Sequence, residues 1–283
     1  MNSGQNNKLV SIGLPTYNRA QFLRRALDLL LAQTYKNFEL IISDNCSTDD
    51  TPKICEEYRK HDARIKYFRQ KENIGITDNM SFVLNEARGD YFMWAADDDW
   101  WAPEFIEKLK IGLDYNVGCE VAMSSFLRIM PDGQLVNRLI FKGLNDFAKL
   151  NHGEAFYKVV NPGRPFHYVV CGLMRTELIK KISERVRICA RGDRIIMGEM
   201  ALAAHFYTLP EILFHKTVQA SATSERYPEI SNFYLHRLPH VYYIYNLGKR
   251  IIFSPVIPLR RKLTDFLPYY ARLIKYVFMK KYL

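Results

Sequence analysis

Glycine-rich phosphate loops are missing from this sequence. No Gly-x-Gly-x-x-Gly follows the first apolar run and no Gly-Lys-Ser/Thr occurs anywhere, so a dinucleotide-binding domain or a P-loop NTPase loses its main support. Cysteine is scarce. Cys46, Cys55, Cys119, Cys171 and Cys189 are odd in number and contain no Cys-x-x-Cys pair, which argues for reduced thiols in a cytosolic protein and against a disulfide or zinc framework. No apolar run approaches the ~18 residues of a membrane span, and residues 1–8 lack the apolar core of a signal peptide. Acid is nearly absent from the end of the chain. From residue 246 onward nine bases face the single acid Asp265, and they account for eight of the ten net positive charges. The remainder is near neutral, so a nucleic-acid footprint spread over the fold is not expected.

What is present is a regular alternation. Residues 9–14 form a short β-branched run that stops at Pro15-Thr16-Tyr17-Asn18, and apolar positions then recur at helical spacing over residues 20–33. A second strand over 38–43 ends at Asp44-Asn45-Cys46-Ser47-Thr48-Asp49-Asp50, before a helix over 52–61. A third strand, 64–69, leads into Asn73-Ile74-Gly75, a helix over 77–87 and a fourth strand from Tyr91. This alternation predicts a parallel, doubly wound α/β sheet.

The fourth strand ends in Asp97-Asp98-Asp99, followed by Trp100-Trp101 and by Pro103, where a helix can begin. Such carboxylates at the carboxyl end of a buried strand lie where open α/β sheets place ligands. Hard oxygen donors suit Mg²⁺ or Mn²⁺, with phosphate and water completing the shell. The competing reading is an acidic turn capping the next helix, and Asp44 likewise reads alone as a cap. Thr16, Asn18, Asp44 and the triplet all follow strand ends, however, and in a parallel sheet those ends share one edge.

With these motifs in order, residues 9–110 resemble a family-2 glycosyltransferase of the GT-A fold. The resemblance runs through Pro15-Thr16-Tyr17-Asn18-Arg19, Gln33-Thr34-Tyr35, Asp44 to Asp49, Asn73-Ile74-Gly75, and Asp97-Asp98-Asp99 with Trp101 and Pro103. It implies a Rossmann-like, mostly parallel sheet with flanking helices, and inverting transfer of a sugar to an acceptor hydroxyl. Pro15, Thr16, Tyr17, Asn18, Asp44, Asn73 and Gly75 are the implied nucleotide-sugar contacts. Asp97, Asp98 and Asp99 are the implied Mn²⁺ or Mg²⁺ ligands, Asp97 and Asp98 also facing the donor. The first position of the family's Asp-x-Asp-Asp is Ala96 here, which leaves open which acid meets the metal. Absence of Gln-x-x-Arg-Trp favours addition of one sugar over processive polymerisation. A sugar-phosphate nucleotidyltransferase is the nearest enzymatic rival and requires a basic, glycine-rich first loop. A non-catalytic, membrane-associated scaffold with a degenerate fold is the rival from another class.

The resemblance carries an acid at the start of an acceptor-side helix onto Asp193, in Arg191-Gly192-Asp193 before an apolar helix over 195–207; the role is general base, with Glu199 second. Lys216, after a strand over 211–215, matches a basic residue near the diphosphate. Segments 120–129 and 134–141 flank Pro131-Asp132-Gly133, a hairpin turn, and 151–168 reads as a loop shaping an acceptor pocket, with His152 and His167 read as structural ahead of general bases. The expected division is residues 1–225 as the transferase domain, with a nucleotide half (1–110) and an acceptor half (111–225), and 226–283 as a basic helical appendage. Residues 269–283 predict an amphipathic helix whose aromatics and Arg272, Lys275, Lys280 and Lys281 engage an anionic membrane; the competing reading is the basic, solvated face of a helix packed on the core. The implied acceptor is a lipid-linked saccharide in surface-polysaccharide synthesis, on the inner face of a bacterial cell membrane.

Overall fold

A computed structural model describes residues 7–141, 147, 149–161, 168, 170–183, 192–218 and 239–279. Its first half follows the predicted alternation: β1 (Val10–Thr16), α1 (Ala20–Leu31), β2 (Phe38–Asp44), α2 (Thr51–His61), β3 (Ile65–Arg69), α3 (Ile76–Asn85) and β4 (Tyr91–Trp94). All of β1 and β2 is buried or nearly so, as befits strands covered by helices on both faces. Val83 of α3 and Phe92 of β4 crowd Gly13, where a Cβ would lie 2.7 Å from the valine side chain. Glycine there lets the helix settle on the sheet.

β1 pairs in parallel with β2 on one side and β4 on the other, and β2 with β3, giving the order β3-β2-β1-β4. The winding direction reverses between β1 and β4, and ligand crevices form outside the carboxyl ends of strands at such a reversal. The register sets Thr16 opposite Asp44, and Asp44 opposite Arg69. Polar residues far apart in sequence thus stand in one row.

The sheet continues through β5 (Trp100–Trp101), β6 (Cys119–Ile129), β7 (Leu135–Leu139), β8 (Leu173–Arg175) and β9 (His205–Thr217). β8 enters antiparallel to both β4 and β6, whereas β9 runs parallel to β6. β7 forms the predicted hairpin with β6, and Gly133 supplies a φ of +88° at its turn. The helices of this half are α4 (Phe105–Tyr115), α5 (His152–Val160), α6 (Thr176–Ser183) and α7 (Gly192–Ala203).

Three expectations change here. The segment read as a loop from 151 contains α5, because Asn151 caps it by accepting a hydrogen bond from Glu154 N–H at 2.8 Å while Ala155, Phe156, Val159 and Val160 form a buried stripe. The helix predicted to reach residue 207 ends at Ala203, and β9 begins at His205 rather than 211. Phe206 and Thr208 alternate into the core and the main chain pairs with β6, so sheet pairing overrides the apolar helical pattern.

Two C-terminal helices, α8 (Pro239–Ile252) and α9 (Leu267–Met279), complete the described chain; a short α turn, Leu259–Arg261, and a π turn, Lys262–Phe266, lead into α9. They pack on α5 and α7. Tyr243 donates from its hydroxyl to Val160 C=O at 2.8 Å, Arg250 bonds Glu199 and Ile182 C=O, and Phe266 meets Phe156 edge-on at 5.5 Å. Tyr269 lies over Gly153 and Tyr270 over Gly248. Of the aromatics of the expected amphipathic helix, Tyr269, Tyr270 and Tyr276 therefore pack on the protein, and Arg272 stacks on the Tyr157 ring at 4.7 Å. Lys280 and Lys281 lie outside the described residues. Among those described, no helix is long and apolar enough to cross a membrane.

Candidate active site

The turn after β1 is built by side chains of the turn after β2. Asn18 sits at φ 52°, a conformation asparagine tolerates better than most residues, and its Oδ1 accepts from Thr48 N–H at 2.8 Å. Asn18 N–H in turn donates to Ser47 Oγ at 2.9 Å. Pro15 and Thr16 close β1, and the half-exposed Tyr17 follows. Asp44 is fully buried. One of its oxygens accepts from Ser47 N–H at 2.9 Å and the other from the Tyr67 hydroxyl at 3.1 Å, with Arg69 at 3.7 Å. The cap reading of Asp44 falls away, since the residue at the start of α2 is Asp50. Asn73 Oδ1 accepts from Asn45 Nδ2 at 2.8 Å and from Gly75 N–H at 2.9 Å, tying the loop before α3 to the loop after β2. Gly75 needs its φ of +79° at the helix entry.

All three acids of the triplet are buried, each with a different set of partners. Asp97 accepts from Thr16 Oγ1 at 2.9 Å and pairs with Arg19 Nε at 3.1 Å. Asp98 meets the same guanidinium at 3.3 Å, and Arg25 holds its carbonyl at 2.9 Å. Asp99 lies deepest. Both its oxygens accept from Lys216 Nζ, at 2.8 and 3.1 Å, and one also from Thr217 N–H at 3.0 Å. The reading of Asp99 as a helix cap is overturned, because its partners are on β9 and Glu104 occupies the cap position of α4. Lys216 itself is part of β9 rather than beyond it.

The electrostatics follow from burial. Loss of water pushes the Asp97 carboxyl up to about 7 against the pull of Arg19, and Asp98 adds repulsion. Burial likewise lifts Asp99 to about 6 despite Lys216. Burial also works against the charge of Lys216, but Asp99 outweighs it and holds the ammonium above the usual lysine range. The triplet is a place where negative charge is crowded and where cations are held.

Around it the scaffold is rigid. Trp100 stacks on His215 at 4.4 Å and Trp101 is buried near Phe214, so β5 pins the triplet to β9. Gln33 donates to Ala102 C=O at 2.9 Å and accepts from Ile106 N–H at 3.1 Å, which explains the Gln33-Thr34-Tyr35 motif as a brace between α1 and α4. Position 193 falls in the first turn of α7, and its side chain lies outside the described residues. Glu199, the second base candidate, is buried and ion-paired with Arg250 of α8. His152 bonds Ala201 C=O at 2.9 Å and rests against His205, in keeping with a structural part; His167 lies outside the described residues. Sequence reasoning missed Arg25, Tyr67, Arg69 and Thr217 as neighbours of the acids. The register of β3 and β9 brings in the last three, and no local pattern announces it.

Among the described residues no three metal-ligating side chains converge. The acids nevertheless fit a hard divalent cation that takes one or two carboxylates and leaves the rest to phosphate and water. A single guanidinium already bridges Asp97 and Asp98.

Residues 11–182 match the family model described as Glycosyl transferase family 2. Among curated proteins, the chain is 36% identical over 100 residues to Glycosyltransferase GlyA of Streptococcus pneumoniae, covering 35% of this chain and 14% of that protein. It is 30% identical over 132 residues to the putative teichuronic acid biosynthesis glycosyltransferase TuaG of Bacillus subtilis, covering 47% of this chain and 52% of that one. The chain thus spans about half or less of these relatives. Among solved structures, it is similar to S. aureus TarS 1-349 in complex with UDP-GlcNAc, with a TM-score of 0.65 and 19% identity over 93% of this chain and 72% of that one. It is also similar to the mannosyltransferase PcManGT from Pyrobaculum calidifontis in complex with GDP-Man and Mn2+, at TM-score 0.54 and 14% identity over 95% and 74%. These likenesses carry the fold.

Proposed function

The chain belongs to glycosyl transferase family 2, and from that premise we propose that it moves a single sugar, with inversion, from a nucleoside-diphosphate sugar to an acceptor hydroxyl. The observation that carries this reading is the row Thr16, Asp44 and Asp97 to Asp99 at the β1/β4 reversal. Thr16 is hydrogen-bonded directly to Asp97 there. The nucleotidyltransferase reading is disfavoured by the loop at residues 15–18, whose geometry rests on asparagine and serine rather than on glycine and basic residues. Three intact, buried acids speak against a degenerate scaffold.

In this reading the turns at Pro15 to Asn18 and Asn73 to Gly75 border the nucleoside, and Asp44 fixes the floor between them. Asp97 and Asp98 would hold a divalent cation, which would supply Lewis-acid stabilisation to the nucleoside diphosphate; Asp99, expected as a third ligand, has its oxygens on Lys216 and Thr217. Asp99 acts differently, orienting Lys216 toward the acidic edge, where an ammonium offsets diphosphate charge. Asp193, in the first turn of α7, accepts the proton of the acceptor hydroxyl as that oxygen attacks the anomeric carbon. Inversion follows from a single in-line displacement. The expected boundary at about residue 225 is kept only as the end of the sheet-bearing part, because α8 and α9 pack on α5 and α7 rather than forming a unit of their own.

The complexes of TarS with UDP-GlcNAc and of PcManGT with GDP-Man support a nucleoside-diphosphate sugar without choosing the base. The likeness to TuaG, named for teichuronic acid biosynthesis, supports cell-surface polysaccharide synthesis; a lipid-linked saccharide as acceptor at the inner face of the bacterial membrane is the further part of the proposal. The test is calorimetric binding of UDP-, GDP-, CDP- and dTDP-sugars with and without Mn²⁺, followed by mass analysis of acceptor products. Tight binding of one donor that requires the cation is expected. Binding of no donor, or formation of a nucleotide sugar from a sugar phosphate, overturns the reading.

A further inference from the structure

The face of the C-terminal helices turned away from the protein carries a row of exposed aliphatic side chains. Ile257, Phe266, Leu273 and Val277 are buried against the core, which settles the inward side. On the outward side Leu259, Leu263 and Leu267 are 71%, 56% and 45% exposed. They recur every fourth residue and so share one stripe, running through the π turn Lys262–Phe266. Ile252 is 49% exposed at the end of α8. Lys262 draws it alongside, donating to Ile252 C=O at 2.8 Å and Ser254 C=O at 2.7 Å. Four large aliphatic side chains on one rim exceed the scattered exposure ordinary for a surface.

The charges around this rim decide what covers it. Several bases of the C-terminal region are already engaged: Arg250 with Glu199, Arg261 with the carbonyls of Leu202 and Ala203, Lys262 as above, and Arg272 on Tyr157. Lys249, Arg260 and Lys275 are exposed, and Asp265 is the one acid among residues 239–279. A second copy docking isologously sets the same patch against itself, so basic residues would oppose basic residues. An anionic lipid surface satisfies both features, since apolar side chains enter the acyl boundary while lysine and arginine meet the headgroups.

We propose that the stripe Leu259, Leu263 and Leu267, with Ile252 beside it and Lys249 and Arg260 flanking it, is the face by which this protein lies on an anionic membrane. The proposal deepens the membrane placement in the reading above but does not depend on the transfer chemistry. It also relocates the contact: Tyr269, Tyr270 and Tyr276 of the last helix pack on the protein, and Leu259, Leu263 and Leu267, from the turns before α9 to its first residue, do the inserting.

Flotation with vesicles tests it in the absence of donor and acceptor, so failure here is distinct from failure of the transferase reading. Wild type is expected to partition onto phosphatidylcholine vesicles containing phosphatidylglycerol and not onto phosphatidylcholine alone. The triple variant Leu259→Gln, Leu263→Gln, Leu267→Gln is expected to lose at least tenfold in partition while keeping the wild-type melting temperature, since all three side chains are exposed. Lys249→Gln with Arg260→Gln, the check should the triple variant misfold, is expected to lose the salt-sensitive part, at roughly fivefold per basic residue. Unchanged partition of either folded variant overturns the proposal. So does a lipid-free dimer of wild type that the leucine variant converts to monomer.

Discussion

Neighbouring acids with the same charge behave differently here because each has a different partner. Asp98→Asn is expected to abolish cation-dependent donor binding with little change in melting temperature, since Arg19 keeps Asp97 as its ion-pair partner at 3.1 Å, and binding calorimetry beside thermal unfolding checks both halves. Asp99→Asn is expected to do the reverse first, destabilising the fold. It leaves the Lys216 ammonium without its carboxylate, and stranding one member of a buried pair costs on the order of 3 kcal/mol. A drop of several degrees in melting temperature for Asp99→Asn, absent for Asp98→Asn, separates anchor from ligand. Asp193→Asn is expected to lower kcat by about 10²-fold with donor affinity unchanged; a loss of donor affinity instead removes it from the role of base. The sequence pointed to all three positions, because strand-end acids and a helix-start acid are local patterns. Assigning Lys216 to Asp99 was beyond it, as the two meet only through the pairing of β5 with β9.

At the scale of elements, the first four strands were legible because each is a short run rich in β-branched and aromatic residues and closed by turn residues. In the second half the β6–β7 hairpin was legible from Pro131-Asp132-Gly133, but α5 and the extent of β9 were not, for two physical reasons. α5 depends on Asn151 as its cap, and asparagine beside histidine and glycine reads as a loop unless the cap is recognised. β9 depends on long-range pairing with β6 that no local signal reports. Glu39 illustrates how much such cross-strand contacts hold. From β2 it accepts from Ser11 of β1 at 2.6 Å and from Arg88 N–H, before β4, at 2.8 Å, and it pairs with Lys66 of β3 at 2.5 Å. Burial works to raise its carboxyl, but the bonds from Lys66, Ser11 and Arg88 outweigh this and hold it below the usual range. A carboxyl depressed on folding contributes stability that is present above the unfolded value of 4.5 and lost as pH falls through the folded one. Glu39→Gln is therefore expected to cost roughly 1–3 kcal/mol at neutral pH. The gap to wild type should narrow as the pH is lowered below 4.5, as denaturant melts across that range would record.

The molecule as a whole does not divide where its composition does. Basic, proline-punctuated sequence after residue 245 reads as a separable tail, and charge counting gives no sign of what lies beneath it. In the structure Tyr243, Ile244, Leu247, Ile251, Ile257, Phe266, Leu273 and Val277 are buried, with α8 and α9 closing over α5 and α7. At about 1.5–3 kcal/mol for each large side chain removed from water, reduced because unfolded chains already bury part of this surface, their loss is on the order of 10 kcal/mol. That equals the whole stability of a typical domain, about 5–15 kcal/mol. Cutting after residue 238 would also leave Glu199 buried without Arg250 and bare the apolar side of α7. The truncated chain is thus expected to aggregate or to lack a cooperative melt and, with its crevice no longer braced, to bind no donor. Circular dichroism with thermal unfolding is the direct check. A truncated protein that melts cooperatively near the wild-type temperature and still binds nucleotide sugar would restore the tail as an independent appendage.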